Sequence, residues 1–216
     1  MPTPAPPGTL LICCGAIAKE IVALVRENGW HHMRLECLPA HLHNTPEAIP
    51  EAVRLKIRES RRRGDEEVLV LYGDCGTGGL LDKMLREEGV ERIFGNHCYE
   101  AFAGSAELAE VMAAEPGTFL LTDFLARHFE RLVIRGLGLD RYPKLRDSYF
   151  GRYRKLLYLA QRRDRDLEAR AREAAQTLGL AFEIRHTGYG GYGRFLADRA
   201  DCRGGSAPGK TVDRGS

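Results

Sequence analysis

The sequence predicts an α/β protein, a Rossmann-like three-layer sandwich in which helices cover both faces of a mainly parallel sheet. Short apolar runs typical of buried strands alternate with segments of helical periodicity along most of the 216 residues. Most strand signals are followed by a helix signal before the next strand begins, an order typical of parallel sheets. A chain of this length is large enough for one sizeable core, so we expect a single domain.

The first half of the chain contains three strong strand signals, at residues 9–13, 33–38 and 67–73. A helix is predicted after each of them, at residues 16–28, 46–64 and 79–90. In the first helix, four apolar side chains share one face: Ile17, Ile21, Leu24 and Val25. The second helix has prolines near its start and ends at Gly64, as helices commonly do.

The second half gives further strand signals, at residues 92–95, 117–122 and 180–188. Three helices are predicted there, at residues 105–115, 149–161 and 166–179. Ser105 stands in the capping position of the first of these helices. Beyond residue 190 the pattern decays, so the domain is predicted to span residues 9–190. Residues 1–8 are expected to be a flexible N-terminus and residues 191–216 a mobile tail.

The charge balance excludes some classes of partner. Lys and Arg number 32 and Asp and Glu 30, so the net charge of +2 gives no reason to expect binding to nucleic acid or to an anionic membrane. We see no signal peptide and no membrane span. Six cysteines without a secretory context are typical of reduced thiols or metal ligands, which predicts a cytoplasmic protein.

One stretch matches the spacing of a nucleotide-binding motif but lacks the strand and helix that such a motif needs. The stretch `GGSAPGKT`, residues 204–211, satisfies the Walker A spacing. A phosphate loop needs a strand before it and a helix after it, so that the helix N-terminus points at the phosphates. No convincing strand precedes this stretch, and only five residues follow it. We therefore reject it as a nucleotide site.

Thiols and imidazoles recur where predicted strands end. Four cysteines lie at or just beyond such ends: Cys14, Cys37, Cys75 and Cys98. In an open parallel sheet these ends form one edge, where ligands bind. The same edge would collect four other polar side chains: His43, His97, Asp123 and His186.

This donor set predicts a metal site. The chain has no CxxC pair, so a zinc finger or ribbon is excluded, but three thiolates and an open position suit a catalytic zinc. The predicted ligands are Cys14, Cys75 and Cys98, with His43 as the fourth ligand or as a neighbouring catalytic acid–base group. A ferrous ion or an iron–sulfur cluster can also use three cysteines. Two alternatives stay open, a cleft lined by unmetallated thiols and plain packing of small apolar side chains.

The loop `DCGTGG`, residues 74–79, admits two interpretations. Gly76, Gly78 and Gly79 either relieve strain in a tight turn or bring backbone N–H groups close to a bound anion or cofactor. The second interpretation predicts a lowered pKa for Cys75, because a helix N-terminus favours a thiolate. Glu20, in the first helix, is either a solvated carboxylate or a catalytic group that orients a ligand histidine.

Five stretches carry a resemblance to a known family: `CCGAIAKEI`, `CLPAHLHNTPEAIP`, `LYGDCGTGGL`, `HCYEAFAGS` and `EPGTFLLTDF`. In this order they resemble domain of unknown function 1638, a family found in bacteria and archaea, over residues 10–190. The resemblance implies the same candidates, since the family's motifs fall on Cys14, Glu20, His43, Cys75 and Cys98. It also implies a role in one-carbon metabolism, because relatives tend to be encoded near genes for corrinoid-dependent methyl transfer.

Three functions are consistent with these observations. The first is a zinc protein that transfers a methyl or thiol group, with a small-molecule thiol or a corrinoid protein as partner. The second is a non-catalytic module that binds a corrinoid, a nucleotide or a protein at the same sheet edge. The third is a metal-free enzyme with Cys75 as nucleophile and His43 as base.

Overall fold

The structure is a computed structural model that describes the backbone of residues 8–203 and the side chains of residues 8–200. It contains seven strands within the described residues: β1 (Thr9–Cys14), β2 (Met33–Leu38), β3 (Glu67–Leu71), β4 (Glu91–Arg92), β5 (Thr118–Thr122), β6 (Lys155–Ala160) and β7 (Ala181–His186). All strand pairs are parallel. The mixed α/β class and the Rossmann-like arrangement predicted from the sequence are therefore confirmed.

The strands divide into two sheets. The first has the order β2-β1-β3-β4, and the second has the order β5-β6-β7. The central strands β1 and β6 are buried along almost their whole length, as expected for parallel strands covered on both faces. The sequence indicated parallel pairing but not the break between the sheets, because strand signals do not specify which strands are neighbours.

Nine α-helices connect and cover the strands of the described chain. Those of the first half are α1 (Ala18–Glu27), α2 (Ile49–Arg63), α3 (Leu80–Glu88) and α4 (Cys98–Ala103). Those of the second half are α5 (Ser105–Ala114), α6 (Asp123–Phe129), α7 (Leu145–Phe150), α8 (Arg165–Leu178) and α9 (Gly190–Arg203). Short 3-10 helices precede α2, and a π-helix at Glu130–Arg135 continues α6.

The helix predicted at residues 149–161 is wrong, because α7 ends at Phe150 and residues 155–160 form β6. The segment `LLYLA` is buried at every position, so it has no polar face of the kind that an amphipathic helix shows to water. Tyr149 and Tyr153 are four residues apart, a spacing that favours a helix in the sequence pattern, but burial on both faces favours a central strand. Ser105 is the first residue of α5, and Gly104 occupies the capping position.

The beginning of the predicted tail is also corrected. Residues 190–203 form α9, whose Tyr192 and Leu196 are fully buried in the core around the first sheet. This helix packs against α4. The glycine-rich start of α9 masked its apolar positions in the sequence pattern. The Walker-like stretch at 204–211 lies outside the described residues, and the single-domain division stays a prediction.

Candidate functional site

A cleft of about 730 Å³ lies between the carboxyl ends of the two sheets. One wall comes from the loops after β1, β2 and β3 and from the start of α4, and it includes His41, His43, Cys75, His97 and Cys98. The opposite wall comes from α6 and the π-helix and includes Phe124, Leu125, Arg131, Leu132 and Leu137. A volume of this size suits a small-molecule ligand, and its position is the one where parallel sheets usually bind ligands.

A second, much smaller cavity of about 20 Å³ adjoins the cleft. Its lining contains the four side chains that the sequence predicts as metal ligands: Cys14, His43, Cys75 and Cys98. Tyr72 and Tyr192 complete the polar part of its wall. Because His43, Cys75 and Cys98 line both spaces, the small cavity forms the floor of the cleft. We call it the thiol cavity.

Cys14 is the last residue of β1 and is almost completely buried. The backbone N–H of Ala16 donates to its Sγ at 3.3 Å, a contact that stabilises negative charge on the sulfur. Burial nevertheless raises the pKa of Cys14, although the Ala16 N–H and the Tyr72 hydroxyl act in the opposite direction. The Tyr72 hydroxyl has no hydrogen bond of regular geometry within the described residues. Cys14 is therefore a neutral thiol with polar groups already aimed at it.

His43 lies in a 3-10 helix, Ala40–Asn44, directly after β2. Its Nδ1 atom is 3.0 Å from the carbonyl oxygen of Ala40 and 3.7 Å from the Sγ of Cys14. A carbonyl only accepts, so the first contact requires a proton on Nδ1 and leaves the lone pair of Nε2 free in the neutral ring. The ring stacks on Tyr72, with centroids 6.1 Å apart and planes inclined by 18°. These contacts hold the imidazole beside the thiol cavity.

The loop after β3 is organised by Asp74. Its carboxylate accepts from the backbone N–H of Gly78 at 3.0 Å and of Gly79 at 2.8 Å, and from the Thr77 hydroxyl at 2.7 Å. Partial burial opposes ionisation, but these donors hold the pKa of Asp74 below its usual value. The anion-binding position at the start of α3 is thus filled by the chain's own carboxylate.

The loop glycines are needed for the backbone conformation of the turn. Gly76, Gly78 and Gly79 have φ angles of 84°, 62° and 83°, values that favour glycine strongly. Cys75 itself has a φ of 52° and is the one non-glycine residue with positive φ in the described chain. The predicted role of these glycines as a cradle for an external cofactor is not supported, since two of their N–H groups bond to Asp74.

Two loops are joined so that Cys75 and Cys98 come close together. The N–H of Cys75 donates to the carbonyl of Asn96 at 2.6 Å, and the N–H of Asp74 donates to the carbonyl of Gly95 at 3.0 Å. Gly73 permits this approach, because a Cβ there would lie 2.7 Å from the backbone nitrogen of His97. Cys98 then begins α4, six residues after β4 ends, so it follows the strand less directly than the sequence suggested.

Burial, and to a smaller extent the neighbouring thiols, raise the pKa values of the cysteines of the thiol cavity. Burial, followed by the charge of Cys14, raises the pKa of Cys75 to about 11. Burial raises the pKa of Cys98 further, with contributions from Cys75 and Cys14. The expected lowering of the Cys75 pKa by a helix N-terminus is therefore wrong, because desolvation and a neighbouring thiol outweigh it. Without a cation beside them, these three thiols stay protonated at neutral pH.

Other predicted residues lie elsewhere. Glu20 is buried in the first turn of α1, where desolvation raises its pKa, and it lines neither the cleft nor the thiol cavity. His186, at the end of β7, lines a separate cavity of about 340 Å³. His97 reaches the cleft and makes an edge contact with the Tyr99 ring at 5.3 Å.

Asp123 is fully buried at the start of α6, and its Oδ1 accepts from the Tyr158 hydroxyl at 2.7 Å and the Gln161 backbone at 3.0 Å. The carboxylate of Asp123 is therefore directed toward β6. The residues on either side of it, Thr122 and Phe124, line the cleft. The sequence placed Asp123 correctly at a strand end but gave no sign of this network, which depends on the pairing of β5 with β6.

A second pair of cysteines lies outside the thiol cavity. Cys13 of β1 and Cys37 of β2 are register partners, and their sulfur atoms are 3.4 Å apart. Cys13 is fully buried, whereas Cys37 is exposed. The hydrogen bond from Cys13 lowers the pKa of Cys37 to about 7. Cys37 thus lies in a different environment from the other strand-end thiols.

Several residues of the site were not found from the sequence. Tyr72 and Tyr192 line the thiol cavity, and the apolar wall of α6 and the π-helix closes the cleft. One signal was present: the segment `DFLARHFERLVIRGLG` carries more apolar residues than a single helical face needs, and Leu132 is exposed.

Among the side chains that the structure describes, residues 8–200, no group of three or more His, Cys, Asp and Glu is already arranged at metal-binding distances. The four candidate ligands line one cavity but do not stand at the mutual distances of the ligands of a bound ion. No helix in the described part of the chain is long and apolar enough to cross a membrane.

Comparison with known proteins gives one match. A family model described as "Protein of unknown function (DUF1638)" matches residues 37–196. His43, Cys75 and Cys98 lie inside the matched span, whereas Cys14 and Glu20 precede it. No curated protein matches the chain, and no solved structure matches it.

Proposed function

The chain belongs to the DUF1638 family of proteins of unknown function, and from its site we propose that it binds zinc through Cys14, Cys75 and Cys98, with His43 as an exchangeable fourth ligand or as a neighbouring acid–base group. The family predicted from the sequence motifs is thereby confirmed, while the metal and the reaction rest on the proposal. One observation carries it: three thiols and an imidazole, from four separate segments of the chain, line one cavity of about 20 Å³. A cavity of this size has room for one small ion or one water molecule.

The donor set fits zinc. Thiolate sulfur and neutral imidazole nitrogen are the ligands that zinc prefers, in groups of three or four. The Nδ1 atom of His43 lies 3.7 Å from the Sγ of Cys14, and its contact with the carbonyl of Ala40 holds the ring beside the thiols. Burial and neighbouring thiols raise the pKa values of Cys75 and Cys98, so these sulfur atoms would become thiolate ligands by losing their protons to a cation that offsets the charge.

The cleft above the thiol cavity favours a catalytic or binding role for the proposed zinc over a purely structural one. When bound, zinc would supply a positive charge that keeps protein and substrate thiols ionised at neutral pH. The side chains of Phe124, Leu132 and Leu137 make the opposite wall of the cleft apolar. Arg131 lies on that wall and forms no ion pair within the described residues, so its charge is available to an anionic group of a ligand.

We propose that the ligand of the cleft is a small-molecule thiol, whose sulfur reaches the thiol cavity while its other end contacts the wall with Arg131. A sulfur kept as thiolate is a good acceptor for a methyl group. The family's association with corrinoid-dependent methyl transfer supports a corrinoid protein as the methyl donor. The described cysteines are free thiols, which supports a reducing compartment such as the cytoplasm.

The test is metal analysis of full-length protein purified without chelator, together with its ultraviolet–visible spectrum. We expect about one zinc per chain in the wild type and a colourless solution. Cys75→Ser should lose most of this zinc. Cys37→Ser is the matched control, because it removes a strand-end thiol outside the cavity, and it should retain the metal. A wild-type protein without zinc, or equal zinc contents in the two variants, would contradict the proposal. A coloured solution with bound iron would show that the metal of the site is iron instead of zinc.

A binding module without catalysis is the second candidate, and the size and apolar wall of the cleft favour it. It predicts a ligand that stays bound through purification and no turnover of thiol substrates. Native mass spectrometry distinguishes the two, since a bound corrinoid or nucleotide adds a mass that zinc alone does not. A metal-free nucleophile at Cys75 is disfavoured, because its pKa is about 11 and His43 contacts Cys14 instead.

A further inference from the structure

Cys13 and Cys37 are held at reacting distance by strand pairing. They are direct register partners on the adjacent parallel strands β1 and β2, and their sulfur atoms are 3.4 Å apart. Neighbouring strands lie about 4.8 Å apart, which is within the Cα separation of about 4.4–6.8 Å that disulfides accept. The pair is reduced in this structure, and both residues are free thiols. Little movement of the backbone separates the dithiol from a disulfide.

The two sulfur atoms differ in access. Cys37 is exposed on the outer strand β2, so a reagent in solvent can reach it. Cys13 is fully buried behind it on β1, so its sulfur is accessible mainly through Cys37. An exposed attacking thiol with a buried resolving thiol in contact is the arrangement of dithiols that exchange with small disulfides.

We propose that Cys13 and Cys37 form a reversible dithiol–disulfide site that reacts with low-molecular-weight disulfides, separate from the thiol cavity. The site goes beyond the proposed zinc function and does not depend on it. The favourable pKa of Cys37, about 7, is consistent with its role as the attacking sulfur. The two sites use sulfur atoms of consecutive residues, Cys13 and Cys14, that serve opposite faces of β1.

The exchange takes place in two balanced steps. The Cys37 sulfur, after losing its proton to solvent, attacks one sulfur of a small disulfide RSSR, and the S–S bond breaks. One RS⁻ leaves and takes up a proton, and a mixed disulfide remains on Cys37. Cys13 then loses its proton, attacks the Cys37 sulfur and expels the second RS⁻, which is protonated in turn. The two cysteines are oxidised to a disulfide, and RSSR is reduced to two RSH.

The experiment equilibrates reduced full-length protein with glutathione buffers of increasing oxidised fraction. The reaction is quenched with acid, free thiols are alkylated, and the digest is mapped by mass spectrometry without reduction. We expect a peptide cross-linked between Cys13 and Cys37, and a fall in the thiol count from the six cysteines of the chain to about four. Cys13→Ser should accumulate glutathione on Cys37, because no resolving thiol remains. Cys75→Ser should still form the cross-link.

Three results would overturn the site. The first is a wild-type map in which Cys37 stays a free thiol under strongly oxidising buffer. The second is a stable glutathione adduct on Cys37 in the wild type, which would show that Cys13 cannot resolve it. The third is a cross-link among Cys14, Cys75 and Cys98 that forms before the one between Cys13 and Cys37. The wild-type map decides by itself, so a variant that fails to fold does not leave the question open.

Discussion

Cys13 and Cys14 are consecutive residues of one strand, yet they lie in two different chemical environments. Cys14 faces the thiol cavity, where burial and neighbouring thiols raise the pKa values of three cysteines. Cys13 faces Cys37, and there the effect is opposite for the exposed partner, whose pKa is about 7. The alternation of side chains along a strand separates the two sites by a single residue. Burial and partners, rather than the thiol itself, therefore decide what each cysteine can do.

The largest expected difference concerns alkylation. In metal-free protein at pH 7, iodoacetamide should modify Cys37 about 100-fold faster than Cys75, since a larger thiolate fraction outweighs a lower intrinsic nucleophilicity. Peptide-resolved mass spectrometry of timed samples measures both rates. Cys13→Ala should slow Cys37, because the side-chain donor that stabilises its thiolate is removed. Equal rates at Cys37 and Cys75 would remove the contrast and favour Cys75 as a nucleophile.

Gly73→Ala should disturb the thiol cavity and leave the pair Cys13 and Cys37 unchanged. The new Cβ would lie 2.7–2.9 Å from backbone atoms of Asn96 and His97, so the two loops that carry Cys75 and Cys98 must separate. We expect a loss of about 2 kcal/mol in the free energy of unfolding and a lower zinc content. Urea denaturation followed by circular dichroism measures the stability.

Gly64→Ala is the control for this change, because Gly64 has open space around it and its positive φ, at 84°, leaves only a backbone cost. Its cost should be about 1 kcal/mol, from backbone conformation alone, without loss of zinc. The oxidised cross-link between Cys13 and Cys37 should form normally in both variants. A Gly73→Ala protein with full zinc content would show that the loop contact does not position the cysteines.

Asp74→Asn tests the loop from its other end and should destabilise the protein by about 1 kcal/mol at pH 7. The folded pKa of Asp74 is lowered, so its ionised form adds stability above the unfolded pKa, and this stability is lost as pH falls through the folded pKa. The difference from the wild type should therefore shrink in acid. Asp140→Asn, at an exposed position, is the control and should be neutral at both pH values. A difference that grows in acid would refute the role of the carboxylate.

The smallest change in stability is expected for substitution of Glu20, whose charge acts on Cys13. The pKa of Cys13 is raised by its hydrogen bond to Cys37, by burial and, more weakly, by the charge of Glu20. Burial raises the pKa of Glu20 itself, so its neutral form adds stability below the unfolded pKa, and this is lost as pH rises through the folded pKa. Glu20→Gln should be more stable than the wild type by roughly 1 kcal/mol at pH 8 and equal to it at pH 4.

Thermal denaturation at the two pH values measures this difference, with the exposed Glu110→Gln as control. A Glu20→Gln protein that is less stable than the wild type at pH 8 would show that the carboxylate is ionised and paired in the fold. The same variant tests the predicted catalytic role, since unchanged zinc content and unchanged activity would make Glu20 a purely structural residue.

The sequence predicted the α/β class of the fold and which thiols would line one cavity, but not how the strands pair. Cys14, Cys75 and Cys98 follow apolar runs that signal strands, and parallel strands end at one edge, so their meeting place was accessible from pattern alone. The contact of Cys13 with Cys37 depends on the register of β1 and β2, which no local pattern specifies. The strand at 155–160 was missed because a central parallel strand lacks the alternation that distinguishes strand from helix.

The closing helix α9 has a consequence for how the protein is made. Tyr192 of this helix lines the thiol cavity and lies in the core of the first sheet, although Cys14 and Cys75 are synthesised long before it. On the ribosome, the first sheet therefore emerges with an open core and exposed thiols, and only the arrival of α9 seals it. A nascent chain stalled before residue 190 should present these cysteines to chaperones, oxidants and free metal ions.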